Sequence, residues 1–307
     1  MDEDIVVKIF TNHFGTAPTE LTRCAMGIGN YVYIAAGAGE RCVIRCSDTP
    51  GAYRDTVHWL TQLAPLGIPV PRVLGEGSIG SYVYLILTWF PGEDLGIVYP
   101  QLTREEKRGI AKSVLGIQNR VAALRLEVPA DWSWWDSFVW DMLDRAEHRI
   151  RKNGYFGPEK VDKLRAAADE LRPYFDCVQP VAYLDDISSK NLLIHEGRVS
   201  GVVDIDWMGI GDRLTFAALT RMALLNMNCD YDYVNCLLEI IQPNAAQRRA
   251  FAFYTLLYCV DFMGERGMRF GDKQVPVSPE IIDRLNGIFD RLWAEWIDNG
   301  SAHGYNS

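Results

Sequence analysis

YLDDISSKNLLIHEGRVSGVVDIDWMGIGD, residues 183–212, is the stretch on which the reading of this chain turns. The apolar run Val181–Leu184 ends in two carboxylates, Asp185 and Asp186, and four residues separate Asp186 from Asn191. Asn191 opens the run Leu192-Leu193-Ile194, His195-Glu196-Gly197-Arg198 has the composition of a turn, and Val199–Val203 leads back to Asp204. Two apolar runs flanking a Gly-containing turn predict a β-hairpin. A hairpin brings its own ends together, so the spacing predicts Asn191 and Asp204 side by side, with Asp186 just ahead of them in the loop. Phosphoryl transfer needs such a set: a carboxylate to accept the hydroxyl proton, and an amide with a second carboxylate to hold Mg²⁺ on the nucleotide phosphates. Asp, four residues, Asn, then an apolar hairpin and a second Asp is the kinase catalytic-loop pattern. The Asp–Asn spacing alone would suit a polar surface loop, because Asp, Asn and Ser are turn formers. The hairpin and the Val202-Val203-Asp204 run in register carry the catalytic reading.

The stretches before this loop read as a β-rich half. Residues 2–14 carry Ile5, Ile9, Phe10 and Phe14 at helical spacing. Three apolar runs follow, Leu21–Met26, Tyr31–Ala36 and Arg41–Cys46, and the short Gly-containing links between them predict a meander. The first link, Gly27-Ile28-Gly29-Asn30, is either a plain hairpin turn or a cover for nucleotide phosphates, since glycines let backbone N–H groups approach closely. No G-x-x-x-x-G-K-[ST] sequence occurs, which disfavours a P-loop enzyme. On the third strand, Cys42-Val43-Ile44-Arg45 puts a lone cation where kinases carry the Lys that meets the α/β phosphates. Arg can do this with two donors and stays charged when buried. Gly51–Leu66 reads as a helix, and its Asp55 is the candidate carboxylate partner of Arg45. Tyr82–Trp89 reads as a strand, ended by Phe90-Pro91-Gly92.

From Thr103 the chain turns helical. Thr103-Arg104-Glu105-Glu106 is a capping box, and Ile110, Val114, Ile117, Val121 and Leu124 make one apolar stripe. Trp132, Trp134, Trp135 and Trp140 read as lobe packing rather than a ligand platform. Pro158 marks another helix start. Four more helices are expected at roughly 213–228, 230–241, 245–265 and 278–298. Asp230, Asp232, Asp261 and Glu265 lie among the apolar segments there, as possible holders of an amine or as solvated helix ends.

Composition bounds the function. The 307 residues are 48% hydrophobic and 23% charged, enough for a sizeable core. A formal net charge of −9 argues against a nucleic-acid partner, which calls for a basic surface. The seven cysteines include no C-x-x-C pair, so a reduced cytoplasm is expected, with Cys42 and Cys46 packing on one strand face. Met1-Asp2-Glu3-Asp4 lacks a signal-peptide pattern, and no apolar run is long enough to span a bilayer.

The loop and its surroundings resemble the aminoglycoside phosphotransferase family, and within it the hygromycin-type enzymes. The shared features, in chain order, are the Gly27–Asn30 turn, the strand cation Arg45, the A-Y-R-D stretch ending at Asp55, Gly67-Ile68-Pro69-Val70-Pro71, the catalytic loop and the Gly211-Asp212 pair. The resemblance implies an α+β, protein-kinase-like two-lobe fold: a small β-rich lobe at 1–88 and a mostly helical lobe at 89–307 that contains the 183–212 loop. It implies Asp186 as the catalytic carboxylate and Asn191 and Asp204 as Mg²⁺ ligands. It implies Gly27, Gly29, Asn30, Arg45 and Asp55 around the phosphates, and Thr88, Trp89 and Phe90 at the hinge that meets the base. The implied reaction moves the γ-phosphate of ATP or GTP to a hydroxyl of a small molecule, either an antibiotic or a metabolite. Two departures stand out: Leu184 replaces the usual loop His, and Ile205-Asp206 occupies a variable position. Leu184 in the His place and Arg45 in the Lys place keep a nucleotide-binding pseudokinase as the alternative, and the retained Asp186, Asn191 and Asp204 argue against it. A protein kinase ranks lower, because the chain has no H-R-D, D-F-G or A-P-E triplet.

Overall fold

A computed structural model describes residues 2–24, 31–37, 39–270 and 273–301. The Gly27, Gly29 and Asn30 of the expected phosphate turn lie outside the described residues. The chain divides into two compact units: Met1–Glu93 with Leu192–Trp207 and Arg269–Lys273, and Asp94–Asn191 with Met208–Met268 and Gln274–Ser307. Three things differ from the division expected at residue 88: the first unit runs on to Glu93, it takes in the hairpin that follows Asn191, and it takes in Arg269–Lys273.

In the first unit, α1 (Glu3–Phe14) precedes β1 (Glu20–Arg23), β2 (Tyr31–Gly37), β3 (Glu40–Ser47), α2 (Arg54–Leu63), β4 (Val73–Ile79) and β5 (Tyr82–Thr88). The five strands form one antiparallel sheet in the order β1-β2-β3-β5-β4. Side chains alternate between the faces of a strand. On β3 that parity sends Cys42, Ile44 and Cys46 into a core shared with Val6, Ile9 and Phe10 of α1. Burial pushes the Cys42 thiol up to about 11 and the Cys46 thiol to about 12, so both are packing groups rather than reactive thiolates. The same parity turns Arg45 to the opposite face, where it is still only 6% exposed.

The hairpin of β6 (Leu192–His195) and β7 (Arg198–Val202) is closed by Glu196 and Gly197, both at positive φ (50° and 71°). Two such residues are the mark of a type I′ turn, whose twist matches the strands. The register pairs Leu192 with Val202 and shifts between Leu193 and Ile194. Near that shift, the Ser200 hydroxyl donates to Pro91 O at 2.5 Å. Val202 N donates to Pro69 O at 2.8 Å, and Phe90 packs so closely on Gly201 that a Cβ there would lie 2.9 Å from its ring. Gly92 (φ 116°) passes under Ile194 O, where a Cβ would sit at 2.5 Å. These contacts, not chain order, assign the hairpin to the first unit.

The second unit is built on α3 (Arg104–Val121), α4 (Asp141–Asn153), α5 (Glu159–Glu170), α6 (Leu214–Asn226), α7 (Asp232–Ile241), α8 (Ala245–Glu265) and α9 (Pro279–Ser301). The Thr103–Glu106 capping box is formed at the start of α3, and a second, Asn244–Gln247, starts α8. Ile110, Val114, Ile117 and Val121 are buried as the stripe requires. Helix α8 is apolar nearly all round, as a central helix must be. Trp134 is 2% exposed, stacks on Phe138 at 4.3 Å and donates Nε1–H to Tyr254 at 2.8 Å, in line with a packing role. Among the described residues no helix is long and apolar enough to cross a membrane.

Candidate active site

The loop that carries Asp186 is fixed by its backbone. The short strand Ala182–Tyr183 pairs with Gly209–Ile210, and Gly211 N donates to Val181 O at 2.8 Å. Next, Gln118 of α3 clamps Leu184 from both sides: its Nε2 donates to Leu184 O at 2.7 Å, and Leu184 N donates to its Oε1 at 2.9 Å. Gln118 is fully buried, so both bonds are made in a medium where an unpaired polar group is costly. Gly96 N donates to Ser189 O at 2.7 Å, and Asn191 N donates to Asp94 Oδ1 at 3.1 Å. Ile187, Ser188 and Ser189 are buried, while Asp186 between these pins is exposed.

Asp186 and Asn191 come together. Asn191 Nδ2 donates to Asp186 Oδ2 at 3.0 Å and to Asp186 O at 3.2 Å, and the Ser188 hydroxyl donates to Asp186 Oδ1 at 3.3 Å. With its NH₂ end turned to Asp186, Asn191 directs its oxygen away from that carboxylate, as a hard-metal ligand requires. Asn191 holds φ 65°, in the left-handed region that Asn tolerates better than most residues.

In the first unit a second group assembles around Arg45. Nη1 donates to Asp206 Oδ1 at 3.2 Å and Nη2 to Asp206 Oδ2 at 3.1 Å, a two-pronged fork. Nη2 also lies 3.2 Å from Asp204 Oδ1. Thr56 of α2, itself buried, donates its hydroxyl to Asp206 Oδ1 at 2.6 Å. The Tyr53 ring lies under the guanidinium, 5.3 Å from Cζ to the centroid. Arg45 Nε is buried and makes no hydrogen bond among the described residues. Burial works against the Arg45 charge, but Asp206 and Asp204 outweigh it and raise its pKa. The carboxyl of Asp204 is also held above its usual value: desolvation raises it, Arg45 opposes this, and Asp206 adds to the rise. Asp204, like Asn191, sits at positive φ (59°).

Not every expected partner is found. Asp55 is exposed and makes no ion pair with Arg45; the α2 residue linked to the cation is its neighbour Thr56, through Asp206. The reason is helical phase, since one residue along a helix turns the side chain by about 100°. At the expected hinge, Thr88 N donates to Arg72 O and the Thr88 hydroxyl accepts from Arg72 N, so both groups are already engaged. Trp89 lies under the Arg41 guanidinium (4.8 Å), and Phe90 covers Gly201. Three acids considered for an amine are already paired: Asp230 with Lys107 at 3.0 Å, Asp261 with Arg149 at 3.2 Å, and Glu265 with Arg149 at 3.9 Å. Asp212 anchors the core, accepting from Tyr174 at 2.5 Å, Tyr254 at 3.0 Å and Leu214 N at 2.9 Å.

Gln118, Asp94 and Thr56 were not singled out from the sequence, and Asp206 stood out only as a departure at a variable position, with no role given to it. Gln118 had a signal: it is a polar residue on the buried face of α3, four residues after Val114 and three before Val121. Among the described residues no group of three His, Cys, Asp or Glu is placed to hold a metal ion. A magnesium site on a nucleotide needs only one or two protein oxygens beside the phosphates, and an Asn amide oxygen and an Asp carboxylate, taken each by itself, are of that donor type.

The model of the phosphotransferase enzyme family (APH) matches residues 20–215. An aminoglycoside 3'-phosphotransferase of Streptomyces fradiae is 26% identical over 222 residues, covering 66% of this chain and 76% of that protein. A thermostable mutant of aminoglycoside phosphotransferase APH(4)-Ia, in a ternary complex with AMP-PNP and hygromycin B, superposes with a TM-score of 0.68 at 18% identity, over 96% of this chain and 98% of that one. ADP-bound APH(2'')-Ib gives 0.64 at 14% identity, over 94% and 97%. The chain belongs to the phosphotransferase enzyme family and has its protein-kinase-like fold.

Proposed function

We propose that the chain transfers the γ-phosphate of ATP or GTP to a hydroxyl of a small molecule, an aminoglycoside-like antibiotic or a hydroxylated metabolite, with Mg²⁺. The observation that carries this reading is the exposed Asp186 carboxylate gripped by Asn191 at 3.0 Å on a loop pinned at Leu184 and Asn191. Asp186 orients the acceptor hydroxyl and takes its proton late in the reaction. Asn191 and Asp204 offer oxygens for the metal, which when bound neutralises phosphate charge. Arg45 meets the phosphates. The Thr88–Phe90 segment flanks the base through groups other than the Thr88 N–H and hydroxyl, which Arg72 engages. Asp55, exposed, is left without a phosphate role. Catalysis on this reading is positioning and charge neutralisation. The relatives' names supply the substrate class, since S. fradiae and APH(4)-Ia proteins are aminoglycoside phosphotransferases.

The purified protein, incubated with ATP or GTP, Mg²⁺ and a panel of aminoglycosides and hydroxylated metabolites, should give a phosphorylated product by mass spectrometry. Nucleotide binding with no product on any acceptor would favour the pseudokinase. Leu184 does not favour that alternative, because Gln118 holds the loop at that position.

A further inference from the structure

We infer that Asp206 is the residue that positions Arg45 for the nucleotide phosphates, taking the place that the helix acid Asp55 was expected to fill; this rests on the proposed phosphoryl-transfer reading. Three observations support it. The contact is a fork with both Nη atoms at 3.1–3.2 Å, which fixes the plane of the guanidinium as well as its position. Asp206 is itself held: Thr56, buried and on α2, donates to the same Oδ1 at 2.6 Å. The chain β3–Arg45–Asp206–Thr56 therefore ties the sheet to α2 through a carboxylate that comes from the segment after β7. Asp204, by contrast, touches Arg45 through a single oxygen.

The two acids thus divide the work. One guanidinium faces two carboxylates, leaving one negative charge in excess, which suits a neighbouring divalent cation. The acid held by three hydrogen bonds stays with Arg45, and the singly bonded Asp204 is the one free to turn to a metal. Asp-x-Asp spacing provides for this, because Asp204 and Asp206 are two apart and reach the same guanidinium.

The test is nucleotide binding, measured by calorimetry in EDTA and again in Mg²⁺, on the full chain. The probes are AMP-PNP against adenosine, and GMP-PNP against guanosine. Arg45→Ala comes first: it should weaken the triphosphate analogue and leave the nucleoside alone. If it changes neither, the phosphate role of Arg45 fails, and this inference with it. Given that loss, Asp206→Asn should weaken the triphosphate analogue about tenfold, the scale of one charge-assisted hydrogen bond, again with the nucleoside unchanged. Thr56→Val, nearly isosteric, should give a smaller loss of the same kind. Asp206→Asn in the Arg45→Ala background should add nothing, since its effect passes through Arg45. Equal loss for nucleoside and triphosphate would mean general damage to the unit and overturn the inference. Tighter triphosphate binding in Asp206→Asn would mean that Asp206 competes with phosphate, which also overturns it. So would a triphosphate-specific loss in Asp55→Ala with none in Asp206→Asn.

Discussion

The loop around Asp186 and the cluster around Arg45 hold their charged groups in opposite ways. In the loop the holding is done by the backbone: Gln118 on Leu184, Asp94 on Asn191 and Gly96 on Ser189. Asp186 is exposed, and the bonds its carboxylate accepts from Asn191 and Ser188 stay within the loop. Around Arg45 the charges hold one another, with a buried guanidinium between two half-exposed carboxylates and a Thr hydroxyl behind one of them. A group that must exchange protons with a substrate is best relieved of structural duty. On the proposed reading, a cation that faces phosphate has to be kept charged and aimed when the phosphate is absent, and carboxylates do both. Function and stability are therefore expected to separate at Asp186 itself and to stay entangled in the cluster.

The largest effect is expected at Asp186. Asp186→Ala should lower kcat by about a thousandfold, within the range for loss of a positioned acid–base group, while melting temperature and nucleotide affinity stay near the parent's. Steady-state kinetics and thermal melting check this together. A variant whose turnover falls less than about tenfold, or about 1.4 kcal/mol of barrier, would take Asp186 out of the catalytic role.

Gln118 carries the structural share of the same loop. Gln118→Leu keeps much of the volume but strands Leu184 N and Leu184 O in the interior. The cost should be about 2–4 kcal/mol of stability, from two buried groups left unpaired. Denaturant unfolding gives the stability, and kcat should fall in the surviving folded protein with nucleotide KM unchanged. Full stability in Gln118→Leu would show that water or a shifted backbone can replace the clamp.

Arg45→Ala is the cluster's counterpart. Removing it leaves Asp204 and Asp206 facing each other without a cation. Because both carboxylates are about half exposed (54% and 49%), solvent screens much of the repulsion. The loss should be about 1–2 kcal/mol, with nucleotide KM and kcat worsening together. Arg45→Lys should recover charge but not the fork. Parent-like kinetics in Arg45→Ala would separate the cluster from catalysis altogether.

These outcomes also bear on what the sequence could reveal. The hairpin was legible because its signals are local: apolar runs, a Glu-Gly turn and parity that needs no long-range knowledge. Strand β3 was legible for the same reason, down to which face takes Cys42 and which takes Arg45. Helix α8 and its neighbours fell close to the expected ranges because apolar content over twenty residues outweighs any single residue. Partnerships across long separations were not legible. Arg45 and Asp206 are 161 residues apart, and Gln118 and Leu184 are 66 apart. Which acid meets Arg45 depends on where β7 docks and on the phase of α2, and a one-residue difference in that phase exchanges Asp55 for Thr56. Asp230 and Asp261 looked available because the sequence does not show that Lys107 and Arg149 lie opposite them.

The smallest effect concerns pH and sets the two units against each other with carboxylates of opposite sign. Asp230 resembles the cluster acids in design: it is half exposed and paired with a buried cation, Lys107, at 3.0 Å. Burial acts to raise its pKa, but Asp232 N–H, Lys107 and the Tyr99 hydroxyl outweigh that and lower it. A carboxylate with a lowered folded pKa adds stability that is complete above the unfolded value, about 3.9, and is lost as pH falls through the folded value. Asp204 is raised instead, chiefly by desolvation. The folded chain then holds its proton more tightly than the unfolded chain, so stability falls as pH rises from the unfolded value through the folded one. Melting curves of the parent, Asp230→Asn and Asp204→Asn between pH 3 and 7 test both signs. The parent's advantage over Asp230→Asn should shrink toward the acid end, and its disadvantage against Asp204→Asn should grow toward neutrality. Each difference should stay under about 1 kcal/mol, because both carboxylates reach solvent. Two differences of the same sign would mean that Asp204 is stabilised by Arg45 more than it is desolvated. The cluster would then be an ordinary structural ion pair like Lys107–Asp230, rather than a site holding negative charge in reserve for a cation.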